Sequence, residues 1–322
     1  MEEKIVNIIN EMAEFLSMAQ LKKLQEIMVK EFAEAELEKR DISNVDYLKM
    51  FLDAKQIEGC SERTISYYQS TINHLLEAVD ISVRKMTTED IRSYLADYQK
   101  INNCSKVTVD NIRRNISSFF TWLEEEDYIL KSPMRRIHKI KTKTAVKEVI
   151  SDEMIEKMRD NCAEVRDLAI VDLLYSTGMR VGELVNLNIS DIDLEQRECV
   201  VYGKGDKERR VYFDAKAKIH IQNYLRSRTD DNPALFVTLL APYSRLKISG
   251  VEIRMRDLGR QVGVERIHPH KFRRTMATRA IDKGMPIEQV QKILGHCNID
   301  TTMQYAMVNQ SNVKNSHKKF IS

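Results

Sequence analysis

Three histidines, a pair of arginines and a tyrosine crowd the stretch HPHKFRRTMATRAIDKGMPIEQVQKILGHCNIDTTMQY, residues 268–305. His268 and His270 flank Pro269, Arg273 and Arg274 follow, His296 closes an ILGH run, and Tyr305 stands nine residues further on (305 − 296 = 9). On closely spaced short helices this set suits a phosphodiester. Guanidinium forks match the non-bridging oxygens, imidazoles exchange protons near neutral pH, and a phenol becomes a nucleophile once its proton leaves. Tyrosine in water ionises only near pH of about 10, so neighbouring cations must favour the phenolate. Displacement at phosphorus also needs an acid for the leaving oxygen and firm positioning. The stretch by itself lacks those parts, and the elements upstream must supply them.

Composition sets the frame for those elements. The chain has 322 residues, 43% hydrophobic and 31% charged, with a net charge of +3, enough for two domains that each bury a core. No apolar run reaches the ~18 residues of a membrane helix. The opening MEEKIVNIIN is acidic and broken by asparagines, unlike a secretory signal. Five scattered cysteines (Cys60, Cys104, Cys162, Cys199, Cys297) without a CxxC pair argue against a disulfide framework or zinc ribbon and for a reducing cytoplasm.

Only Gly59 and Pro133 interrupt the first 150 residues, so that half should be almost wholly helical. Residues 3–16 carry apolar side chains at helical spacing. Ser17 and Gln20 have capping-box spacing before a second helix. Residues 1–40 hold nine acidic and six basic side chains, a local net of −3, and should not lie on phosphates. Residues 44–130 read as four helices opened by Asn44, Ser61, Thr88 and Ser105. Their core candidates are Leu48, Phe51, Leu52, Tyr67, Ile72, Leu76, Ile91, Leu95, Ile112, Ile116, Phe120 and Leu123. Arg63, Lys106, Arg113 and Arg114, near helix starts or on polar faces, are candidate phosphate contacts.

The stretch KSPMRRIHKIKTKTAVK (131–147) carries seven basic residues and no acid. Pro133 and weak periodicity predict an extended basic linker here, and Lys139, Lys141 and Lys143 are further candidates for contact with a polyanion. Beyond it, Ser151 should cap one helix, VRDLAIVDLLYST should end at Gly178, and MRVGELVNL forms another short helix. RECVVYG and ERRVYF alternate around GKGDK as a β-hairpin. A helix over DAKAKIHIQNYLRSR follows, then LFVTL, a helix near 249–261, and three helices within 268–305 with Pro286 at a helix start. The HxH of His268 and His270 lacks acidic or cysteine ligands at metal spacing. GKG is followed by no GKS/T, so it reads as a turn and not as a phosphate loop.

YSTGMRVGELVNL (175–187), the lysine of GKGDKERR, PHKFRR (269–274), LGH (294–296) and Tyr305 together resemble the signature of the tyrosine recombinase (phage integrase and Xer-like) family, in that order. The resemblance covers roughly 150–310, and residues 44–130 are similar to the family's core-binding, SAM-like domain. The implied fold is mainly α with a small β-sheet: a helical core-binding domain followed by an α+β catalytic domain. The implied boundaries are 1–40 for a helical extension, 41–130 for core binding, 131–150 for the basic linker, 151–310 for catalysis and 311–322 for a tail.

By this resemblance Arg180 and Arg273 clamp the scissile phosphate, and Glu183 supports Arg180. His270 donates to the phosphate and takes the tyrosine proton, while His296 steadies the transition state. Lys204 protonates the leaving 5′-oxygen, with Lys207 on the same turn as the competing lysine. Tyr305 forms a 3′-phosphotyrosine. No metal, nucleotide or other cofactor is called for, because arginines supply the charge that Mg²⁺ supplies in kinases. Arg274 stands where many relatives carry histidine. The implied partner is double-stranded DNA held in a C-shaped clamp, with a homotetramer on synapsed sites, an accessory excisionase, no membrane, and a cytoplasmic, nucleoid-associated setting. The implied function is a site-specific recombinase that integrates or excises a mobile element. Xer-like chromosome dimer resolution, a non-catalytic DNA-binding relative and a type IB topoisomerase are the alternatives.

Overall fold

The computed structural model describes residues 8–13, 15–38, 42–142, 148–203, 208–264 and 266–306. It divides into two compact units, residues 1–144 and 145–322. Among the described residues no helix is long and apolar enough to cross a membrane.

Among the described residues the first unit holds helices and no strand: α1 (Met18–Glu38), α2 (Asn44–Ile57), α3 (Glu62–Ala78), α4 (Thr88–Ile101) and α5 (Lys106–Glu125). The Ser17 N–H and hydroxyl both donate to the Gln20 side-chain oxygen at the mouth of α1. Ser61 and Ser105 cap α3 and α5 through their hydroxyls. The caps of α2 and α4 lie one residue earlier than expected, at Ser43 and Thr87. The displaced residues are used elsewhere. The Asn44 amide brackets the turn after α3, donating to the Ile81 carbonyl and accepting from the Val83 N–H, and the Thr88 hydroxyl donates to the Pro133 carbonyl.

Rings fill this unit. Phe51 meets Phe119 edge-on at 5.3 Å and Trp122 at 5.7 Å, and Tyr47 meets Tyr128 at 5.1 Å. Each such pair adds about 0.5–1.5 kcal/mol beyond the area it buries. Tyr67, expected in the core, is exposed instead. It sits one position off the 68–71–72–75 stripe that α3 turns inward.

The basic stretch after α5 is not extended along its first half. Residues Pro133–Arg136 form a 3₁₀ turn capped by Ser132. Met134 is buried, Ile137 and Ile140 pack on the same core, and the Ile140 N–H donates to Asp110. Apolar residues every third position outweigh the surrounding charge.

The second unit is built on α7 (Val165–Thr177), buried on nearly every side and packed by α9 (Ala215–Ser227) and α11 (Pro269–Asp282). Around it lie α6 (Asp152–Asp160), α8 (Val181–Asn186), α10 (Ile248–Gln261), α12 (Ile287–Leu294) and α13 (Asp300–Ala306). A three-stranded antiparallel sheet runs β1 (Ile192–Asp193), β2 (Glu198–Tyr202), β3 (Glu208–Tyr212), with Cys199, Val201 and Val211 buried on one face. The whole is mainly helical with a small sheet. Charges are buried in α7 as well. Asp172 is held by Arg159 and His220, and Asp167 by Arg166 and Arg254.

Candidate active site

The site starts where α7 stops. Gly178 takes a left-handed φ of +63°, which ends the helix and turns the chain. A Cβ there would meet the Met276 methyl at 2.3 Å, which that flexible side chain can clear, so it is the left-handed φ that calls for glycine. Arg180 follows in extended conformation at the mouth of α8, and Glu183 returns three residues later to accept from it. One Glu183 oxygen accepts the Arg180 N–H at 2.8 Å, and the other accepts the Arg180 guanidinium at 2.9 Å. Arg180 itself is exposed.

Helix α11 opens with Pro269 at its first position, which places His270 and Arg273 one turn apart on neighbouring positions of one face. Arg273 is only 1% exposed. Its guanidinium donates to the Gly178 carbonyl at 2.8 Å, to the Leu294 carbonyl at 2.5 Å, and to His296 Nε2 at 3.0 Å. Both carbonyls belong to helix C-termini, whose partial negative charge suits a buried cation. Burial and the nearby Arg180 charge lower the Arg273 pKa to about 10, so it stays charged at neutral pH.

Helix α12 ends at Gly295, again left-handed with φ +63°, and delivers His296. The ring of His296 is depressed to about pKa 4 by burial, with the positive charges of Arg273, Arg180, Arg209 and His270 adding to it. It is therefore neutral at pH 7. Arginine can only donate, so Nε2 is the acceptor, Nδ1 carries the proton, and the Thr302 hydroxyl at 2.9 Å receives it. Thr302 lies fully buried on α13, three residues before Tyr305. The Tyr305 ring stacks at 6.1 Å from the His296 ring.

Of the six residues singled out in the sequence, Arg180, Arg273, His296 and Tyr305 converge here. His270 lies close enough for its charge to bear on His296, and its ring stacks 6.5 Å from that of His268. Lys204 and its competitor Lys207 lie outside the described residues, between β2 and β3 in sequence. Arg274 reaches the Glu148 carbonyl at 3.4 Å.

Two participants were not anticipated. Thr302 is one. Arg209 on β3 is the other. It grips both Glu183 oxygens at 2.7 and 2.6 Å and donates through Nε to the Ile293 carbonyl at 2.9 Å. Burial works against the Glu183 charge, yet the Arg209 fork and the Arg180 N–H hold its carboxyl below the usual range. A signal for Arg209 did exist. It pairs with Val201 and alternates with Val211, so a period-2 reading places it on the buried face.

Among the candidate DNA contacts, Arg63, Lys106, Lys139 and Lys141 are exposed. Arg113 and Arg114 both engage Asp110, at 2.8 and 3.1 Å, and the Arg113 side chain is largely buried in doing so. Lys143 lies outside the described residues.

Comparison with known proteins gives a consistent picture. The model of the phage integrase family matches residues 144–312, and that of the N-terminal SAM-like domain of phage integrases matches residues 47–130. Tyrosine recombinase XerC of Staphylococcus haemolyticus (strain JCSC1435) is 31% identical over 277 residues, covering 82% of this chain and 93% of that protein. A Staphylococcus aureus tyrosine recombinase XerC is 33% identical over 285 residues, covering 82% and 92%. Two solved structures share the fold. The Tn1549 transposon integrase, in complex with a circular intermediate DNA, aligns with TM-score 0.71 at 18% identity, over 85% of this chain and 98% of its own. The XerH site-specific recombinase, bound to palindromic difH substrate, aligns with TM-score 0.69 at 19% identity, over 99% and 95%.

Proposed function

The chain belongs to the phage integrase family, that of the tyrosine-type site-specific recombinases, and we propose that it cuts and rejoins double-stranded DNA with Tyr305 as nucleophile. The Tyr305 oxygen attacks the scissile phosphorus, the bond to the 5′-oxygen breaks, and a 3′-phosphotyrosine forms. His270 takes the phenol proton, and Lys204 protonates the departing 5′-oxygen. A 5′-hydroxyl from a second strand then attacks the phosphotyrosine and returns the tyrosine unchanged, so the exchange needs no external energy. Arg180 and Arg273 neutralise the phosphate through the step. His296 holds the Arg273 guanidinium through its Nε2, and so steadies the transition state by keeping that cation in place.

The observation that carries this reading is the burial of a charged Arg273, held by two helix-end carbonyls and His296, beside Tyr305. Such a cation is costly to desolvate and contributes little to stability for that cost. A requirement for fixed positive charge at this point explains it. A nicked suicide duplex tests the assignment directly. Tyr305→Phe should abolish covalent attachment to the 3′ end while leaving DNA binding nearly intact. Persistent attachment would move the nucleophile elsewhere.

Residues 41–130 act as the core-binding domain, with Arg63, Lys106, Lys139 and Lys141 on the phosphates, and the enzyme works in the cytoplasm as a tetramer on two synapsed sites, with an excisionase as accessory. Its biological role is integration or excision of a mobile element. Chromosome dimer resolution is the second reading, and the XerC relatives, matched over 92–93% of their length, favour it. The location of the sites that the protein occupies in its own genome separates the two: a pair flanking a mobile element, or a single chromosomal site.

A further inference from the structure

The chemistry above uses the Arg180 charge but leaves open how that charge stays free for DNA, since Glu183 is already bonded to it. Glu183 is a buried carboxylate whose two oxygens each accept two hydrogen bonds. One takes the Arg180 guanidinium and Arg209 Nη1, and the other takes the Arg180 N–H and Arg209 Nη2. With Arg209 present, the cluster of two arginines and one carboxylate keeps one positive charge. Without it, Arg180 and Glu183 would cancel, and the carboxylate would be left with half of its acceptor sites empty in a buried place.

Arg209 has a second anchor. Its Nε donates to the Ile293 carbonyl, and its stem lies so close to Gly295 that a Cβ there would sit 2.9 Å from Arg209 Cδ. That contact fixes the last turn of α12, whose Leu294 carbonyl holds Arg273 and whose next residues carry His296. All three guanidinium nitrogens are spent on protein acceptors and the side chain is mostly buried. Arg209 therefore acts through Glu183 and the end of α12.

We propose that Arg209 is a positioning residue for strand cleavage: it neutralises Glu183 so that the Arg180 charge is available to the scissile phosphate, and it locks the α12 end that presents His296. The inference rests on the recombinase reading. It also ties β3, which follows Lys204 in sequence, to both phosphate arginines.

Single-turnover attachment to a nicked duplex, at saturating DNA and well below the melting temperature, tests it on two substrates. One carries a normal scissile phosphate and the other a neutral methylphosphonate, which needs no neutralising charge. On the phosphate, Arg209→Met should slow attachment by about 10- to 100-fold, the size usual for a group that orients a ligand of the reacting centre, with DNA affinity almost unchanged. On the methylphosphonate the loss should shrink to a few-fold. Glu183→Gln added to Arg209→Met should recover most of the loss on the phosphate, because it removes the charge that captures Arg180. Arg209→Lys keeps the cation without the fork and should fall between wild type and Arg209→Met.

Equal slowing on both substrates would make Arg209 a purely structural residue and overturn the inference, as would an unchanged rate on the phosphate. If Arg209→Met does not fold, the Arg209→Lys pair of rates decides by the same criterion. A wild-type protein that forms no attachment at all would overturn the recombinase reading itself, and this inference with it.

Discussion

Among the described residues of the unit 1–144 the largest fully buried side chains are rings, Tyr47, Phe51, Phe119 and Phe120; in the unit of residues 145–322 the largest is Arg273, and Arg166, Asp167, Asp172 and Glu183 are buried there too. Rings are stabilising wherever they pack, so their burial reports only that a core exists. A buried charge is different. Desolvating it costs several kcal/mol, and its partners return that cost only with close geometry. Where several occur together, their placement answers to a demand other than stability. Asp110 is the counterexample inside the helical unit, and its partners Arg113, Arg114 and the Ile140 N–H show a purely architectural use, pinning the basic stretch to its own unit.

Three measurements can break or sharpen this contrast. Phe51→Ala should cost about 3–5 kcal/mol in chemical denaturation of the first unit, yet leave the attachment rate per folded molecule unchanged. A fall in that rate would mean that the ring core also shapes the site. Arg273→Met should do the reverse. Attachment should drop by about 10²–10³-fold, with a smaller stability change than Phe51→Ala, since an apolar isostere removes the desolvation cost while leaving the Gly178 and Leu294 carbonyls unpaired. The subtlest effect is a pH dependence. His296 is depressed from 6.5 to about 4 on folding, so the unfolded chain binds more protons between those values. Its contribution to stability is complete above pH 6.5 and is lost as pH falls towards 4. His296→Gln should flatten the stability curve in that window, and an unaltered slope would remove His296 as its source.

Element types were legible from pattern, because helix spacing and caps are local. Ser61, Ser105 and Ser151 cap the helices that they precede. The misplaced caps at Asn44 and Thr88 differ by one residue because both candidates are good capping types, and long-range hydrogen bonds chose between them. The basic run after α5 hid its apolar triplet of Met134, Ile137 and Ile140 behind charge. In the site, residue types and order pointed to Arg180, Arg273, His296 and Tyr305, and these do meet. Glu183 was legible as a neighbour on one helix turn. For Arg209 strand spacing could give the buried face but not the role, since its partners lie 26 and 84 residues away and nothing local links them. Thr302 stayed invisible for a plainer reason: one threonine beside another, Thr301, on a short helix carries no distinguishing pattern.

Gly178 and Gly295, both left-handed, close helices whose carbonyls stand in for a counter-ion at Arg273. Dissolved ions enter into that arrangement very little, because a buried charge is screened far less than an exposed one. Encounter of a protein with DNA in general depends instead on exposed lysines and arginines, and weakens steeply as counter-ions compete. Ionic strength therefore acts on the two stages unequally. On the proposed function, rising salt is expected to empty the protein of DNA long before it slows the cut inside the complexes that remain, with solution conditions governing how many sites are held and the helix ends governing what happens at each.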